Sequence, residues 1–161
     1  MWARVRQFRE ATKLPSPEDF ALAAEAQLAG PLLDLFRQQH PRDIVHAAAT
    51  ARWLIERGHT DPELIAAALL HDVGKGHQRR RDRAGYVLAN AVRGAKLLAG
   101  PGSRFEFRRA LARGLAHSES GARALADAGA SPRVVDLTRR HHSPPGSDTM
   151  LALLHEADAA S

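Results

Sequence analysis

Polar and apolar positions in this chain never alternate over more than a few residues, and β-branched residues are sparse, so no strand is predicted. Helix start and stop signals recur instead. Ser16-Pro17-Glu18-Asp19 reads as an N-cap with Pro at the first helical position, opening a helix that runs to about Ala29. Gly30-Pro31 ends it, and a short second helix covers Pro31–Gln39. A third runs from about Arg42 to Glu56 and stops at Gly58. Asp61-Pro62-Glu63 opens a fourth, which continues through Leu64–Leu70 to His71 and Asp72, with Gly74 in the place of a C-terminal glycine cap. A fifth is predicted over about Asp82–Leu98, closed by Gly100-Pro101-Gly102. Further helices are expected at about Phe105–Leu115, Glu119–Ala128, Pro132–Arg140 and Ser147–Ala159. The expectation is an all-α, compact helical bundle forming a single domain over residues 1–161, with an N-terminal helix at about 16–30 and the rest of the core in 31–161.

The fourth helix is unusual in being apolar on every face, so it should be buried on all sides. It nevertheless delivers His71, Asp72 and Lys75 within five residues, and unsatisfied polar groups are costly to bury. Read alone, this stretch fits a functional site or a hydrogen-bonded helix end with Lys75 favoured by the dipole. Two other ionisable residues lie on apolar helix faces. His46 stands at i, i+7, i+8 with Trp53 and Leu54, and Asp158 shares a face with Leu151 and Leu154. His46, His71, Asp72 and Asp158 together make a two-nitrogen, two-oxygen donor set suited to zinc, manganese or iron.

Composition narrows the choice. Of 161 residues, 44% are hydrophobic and 25% charged, which argues against disorder. The 31 alanines favour helix and close helix contact. No cysteine is present, which excludes disulfides, thiolate-bound zinc and a thiol nucleophile. The longest apolar run, Leu64–Leu70, is seven residues, against about 20 for a membrane span. No apolar run follows the first charged residues, so no signal peptide is expected and the protein reads as soluble and cytoplasmic. The net charge of +5 comes from 20 Arg and only 3 Lys. Arg79-Arg80-Arg81 and Arg83 are interrupted by Asp82 and lack interleaved aromatics, so no specific nucleic-acid site is expected. They describe a solvated face, or a patch that steers phosphates.

His46, then His71-Asp72 followed by Val73-Gly74-Lys75, then Asp158 on a late helix, resembles the HD superfamily of metal-dependent phosphohydrolases over about residues 36–159. Members with two metals are similar at His117, at the His141-His142 pair and at the final Asp158. The resemblance implies one or two divalent ions (Fe, Mn, Zn or similar). Asp72 would bridge them, with His46, His71 and Asp158 completing the first site and His117 with one or both of His141 and His142 holding the second. It also implies a small phosphorylated substrate, nucleotide-like, hydrolysed by a metal-activated water, and Lys75 is the candidate for extra transition-state stabilisation. Two alternatives share this ligand set: a di-iron oxygenase, and a regulatory HD domain that binds metal and nucleotide without turnover. Ser143-Pro144-Pro145 stands where cyclic-dinucleotide phosphodiesterases of the superfamily carry Gly-Tyr-Pro, so a cyclic dinucleotide is not expected. His40, His59, His77 and His155 are expected mostly at the surface, His77 being the one that could approach substrate.

Overall fold

The computed structural model describes residues 14–75 and 106–161, all in helices and their connections. Helices α1 (Pro17–Glu25), α2 (Gly30–Arg37), α3 (Pro41–Ile55) and α4 (Pro62–Leu70) lead to a 3₁₀ turn at Val73–Lys75. Then follow α5 (Glu106–Asp127), α6 (Pro132–Arg140) and α7 (Thr149–Ala160). The expected helix at 82–98, His77 and the Arg79–Arg83 cluster lie outside the described residues.

Caps explain most of the boundaries. Ser16 and Asp19 form a reciprocal capping box at the start of α1. Asp61, Ser131 and Asp148 cap α4, α6 and α7 through their side chains. Two expectations are corrected. α1 stops at Glu25, not Ala29, because Gln27 turns left-handed (φ 53°) and Leu28 donates back to the Ala23 carbonyl at 2.8 Å, which buries Leu28. The helices expected on either side of His117 are one continuous α5. Its Ser118 and Ser120 do not cap a new helix, since Ser120 Oγ instead donates to the His117 carbonyl at 3.0 Å.

α4 is the axis of the bundle. Leu64 to Leu70 are all buried, none more than 6% exposed, and the helix packs against α1, α2, α3, α6 and α7. Buried alanines of α3 (Ala47, Ala48, Ala51) and α4 (Ala66, Ala67, Ala68) keep side-chain bulk low where these two helices meet. Truncating a fully buried Leu69 or Leu70 would cost about 2–5 kcal/mol. At the periphery, Phe20 of α1 meets Phe36 of α2 edge-on with centroids 6.1 Å apart, and Asp19 pairs with Arg52 of α3.

The turn after α4 lies directly on α5. A Cβ on Gly74 would fall 1.8 Å from the His117 carbonyl oxygen and 2.6 Å from the Gly121 nitrogen. Gly74 is therefore not the left-handed cap its position implied; it is glycine because backbone meets backbone there. Gly121 offers the complementary surface, where a Cβ would come within 3.0 Å of the Gly74 nitrogen. Gly74→Ala should lower unfolding free energy by about 1–3 kcal/mol, and Gly121→Ala by less, in denaturant titrations of the two variants. An effect of Gly74→Ala no larger than that of an exposed Ala substitution would disprove the contact.

Candidate metal centre

Five helix segments each deliver at least one donor to one region. His46 comes from the middle of α3, His71 and Asp72 from the end of α4, His117 from α5, His141 and His142 from the end of α6, and Asp158 from α7. His71 and His141 are placed by the same local device. Each is the C-cap of its helix and its Nδ1 bonds the carbonyl three residues back, Ala68 at 2.9 Å and Thr138 at 2.6 Å. A carbonyl only accepts, so Nδ1 carries a proton and each ring turns its Nε2 inward.

The donors form two groups. In one, His46 Nε2 lies 2.8 Å from Asp158 Oδ1, and His71 Nε2 lies 3.5 Å from both Asp158 Oδ1 and Asp72 Oδ2. In the other, His117 Nε2 lies 3.3 Å from His141 Nε2 and 3.0 Å from His142 Nε2. Asp72 faces both groups: its Oδ1 is 3.6 Å from His117 Nε2 and 3.8 Å from His141 Nε2, while Oδ2 faces His71 and accepts from Lys75 Nζ.

The 3.5–3.8 Å separations around Asp72 and His71 fit a shared ion better than hydrogen bonding. Ligands about 2.1 Å from one ion in a tetrahedral shell sit about 3.4 Å from each other. His71 Nε2 and Asp72 Oδ1 are both buried without a hydrogen-bond partner, and such orphans are rare and costly. Each group could hold an ion, with one ligand atom from each of His46, His71 and Asp72, or from each of His117, His141 and His142.

Electrostatics separates the two halves. Burial raises the Asp72 and Asp158 carboxyls, but His71, Lys75 and His46 outweigh it at Asp72, as do the neighbouring His46 and His71 at Asp158, and both are held below the usual carboxylate range. Burial pulls His71 down, yet the charges of Asp72 and Asp158 override it and raise its pKa. This half attracts positive charge. In the other half, burial and the neighbouring imidazoles push His141 to about 3 and His142 to about 4. Both rings are then neutral near pH 7, the form that binds metal.

All seven donors expected from the sequence, and Lys75, thus meet in one region. The other described histidines are less exposed than expected. His40 caps α3, its Nδ1 accepting from the Arg42 N–H at 3.3 Å; His59 is half-buried; and His155 Nε2 is buried without a partner. Unforeseen neighbours of Asp72 are Gln39 and Asp43, which line a small cavity beside it. Asp43 stands three residues before His46 on α3, a spacing that could have marked it.

The arginine surplus proves to be partly architectural. Arg133 grips Asp148 through both terminal nitrogens, at 3.0 and 2.5 Å, and Arg140 joins at 3.0 Å. α6, which ends in the histidine pair, is thereby tied to the start of α7, which carries Asp158. The Arg133 hydrogen bonds hold the Asp148 carboxyl well below the usual range. Its stabilising contribution is complete above the unfolded value of about 3.9 and is lost as pH falls through the lower folded value. Asp148→Asn keeps a capping side chain but loses the charge. It should destabilise the protein by about 1–2 kcal/mol near neutral pH, with the gap to wild type narrowing below about pH 4 in denaturant titrations.

Among the described residues, no helix is long and apolar enough to cross a membrane. Comparison with curated proteins and with solved structures finds no significant match. The family model for the HD domain matches residues 39–160, a span that contains every donor from His46 to Asp158, and the chain therefore belongs to the HD superfamily of metal-dependent phosphohydrolases.

Proposed function

We propose that the protein hydrolyses a phosphate ester or anhydride of a small, nucleotide-like molecule, using two divalent ions held by His46, His71, Asp72 and Asp158 on one side and by Asp72, His117, His141 and His142 on the other. The observation that carries the reading is the position of Asp72, with one carboxylate oxygen turned to each histidine group. When bound, the ions lower the pKa of a coordinated water and polarise the phosphoryl oxygens.

The chain's own residues supply the rest. The Nδ1 bonds of His71 and His141 fix the tautomers that present Nε2. Asp72, buried and ionised, sets the spacing between the halves. Lys75 Nζ reaches the Asp72 oxygen at the edge of the site and, among the described residues, is the Lys or Arg placed to meet a phosphoryl group that binds there. Its role is to offset charge that grows on the phosphoryl oxygens in the transition state.

Asp72→Ala should lose bound metal and all turnover of an activated phosphodiester while keeping its helical circular dichroism. Lys75→Ala should retain its metal and lose rate by roughly 10²–10³-fold. Retention of metal and activity by Asp72→Ala would reduce the site to a hydrogen-bonded helix end. Oxygen consumption by the ferrous protein without phosphate release would favour the oxygenase chemistry instead.

His117→Ala should lower metal stoichiometry from about two ions to about one, read by elemental analysis of protein purified without chelator. A stoichiometry near one in both proteins would overturn the second ion.

A further inference from the structure

α4 ends inside the protein, with Leu69, Leu70 and His71 all buried. Water cannot serve the carbonyl of a fully buried residue, and leaving one unpaired is costly. The Ala67 carbonyl accepts from the His71 N–H at 2.8 Å, and the Ala68 carbonyl from His71 Nδ1 at 2.9 Å. The Leu69 carbonyl takes its donor from outside the helix. Gln39 Nε2, from 30 residues earlier, donates to it at 2.9 Å.

Gln39 is itself held in place. It lies in the corner between Gln38, the C-cap of α2, and His40, the N-cap of α3, and its own N–H donates to the carbonyl of fully buried Phe36 at 3.3 Å. One side-chain amide thus joins the start of the helix that supplies His46 to the last turn of the helix that leads into His71 and Asp72. Apolar packing would not select this residue, because among the described residues Gln39 Oε1 is buried without a partner.

We propose that Gln39 is a positioning residue of the metal centre: by holding the Leu69 carbonyl it fixes the last turn of α4, and with it the directions in which His71 Nε2 and the Asp72 carboxylate point. The inference rests on the metal-binding reading above. Gln39 acts through the backbone of α4 and not as a ligand.

Gln39→Met tests it. Methionine has a similar length and no donor, so the variant removes the orphan at Oε1 and creates one at the Leu69 carbonyl. These changes oppose each other in overall stability, but only the second loosens the turn. Ser16→Ala is the control, since it also loses one hydrogen bond, the 3.3 Å cap of α1, a helix that supplies no donor to the centre. In metal-free protein, NMR should show the His71 Nδ1–H exchanging with solvent roughly tenfold faster in Gln39→Met than in Ser16→Ala. In the His117→Ala background, where one ion remains, zinc titrated against a chromophoric chelator should bind roughly tenfold more weakly after Gln39→Met and equally well after Ser16→Ala. Proton exchange or zinc affinity changed no more than in the control would overturn the role. If the protein without either substitution takes up no zinc, the metal reading falls, and the exchange rate alone decides whether Gln39 holds the turn. Phosphate release by wild type is scored separately: its absence overturns hydrolysis and leaves the result for Gln39 standing.

Discussion

A methyl group on Gly74 would stand 1.8 Å from the His117 carbonyl oxygen, so the turn carrying Asp72 and the helix carrying His117 are held backbone to backbone. Side-chain packing can shift by a few tenths of an ångström when a neighbour changes, but a contact between two main chains has no such slack. The 3.6 Å between Asp72 Oδ1 and His117 Nε2 follows from that contact. Ser120 reinforces it, its hydroxyl lying 3.3 Å from the Gly74 carbonyl. The approach of His117 to Asp72 therefore depends on two glycines that carry no chemistry themselves, while the packing of α6 on α4 brings in His141.

A second constraint is the cost of burying so many polar groups next to an apolar helix. Helix ends lower that cost, because their last carbonyls have no intrahelical partner and need donors. His71 and His141 both satisfy such a carbonyl through Nδ1. The bond that completes the helix end is also the bond that aims Nε2, so secondary structure and ligand orientation are set together. Thr138 shows the limit of the arrangement: its carbonyl is used by His141, while its buried hydroxyl has no partner.

Much of this was legible in the sequence where a residue type conflicted with its surroundings. His71 and Asp72 at the end of an all-apolar run, and His46 and Asp158 on apolar faces, were visible as conflicts, and all four converge. Helix boundaries set by side-chain caps, such as Ser16 and Ser131, were visible for the same reason. Features that arise from tertiary contact were not. The role of Gly74 depends on a helix more than thirty residues away, and a glycine after a helix reads by default as a cap. The continuity of α5 through His117-Ser118-Glu119-Ser120 depends on Ser120 bonding back to the His117 carbonyl, where the composition alone favours a helix start. Arg133 and Arg140 looked like part of a dispersed basic surface because nothing local marks Asp148 as their partner.

The two halves of the centre differ in a way that gives Asp72 a further role. The half built on His46, His71 and Asp158 has a carboxylate of its own, whereas the half built on His117, His141 and His142 consists of imidazoles, two of them held neutral by burial and by one another. On the two-ion reading, an ion among these three rings meets negative charge, among the described residues, from Asp72. A buried cation without a nearby anion is strongly disfavoured, so the second ion's stability depends on a carboxylate it shares with the first. Lys75 draws on that same carboxylate through Oδ2, the oxygen on the His71 side, and leaves Oδ1 to the imidazole group. The assignment of one oxygen to each side is thus an electrostatic division as well as a geometric one, and it makes the three-histidine half the more dependent of the two.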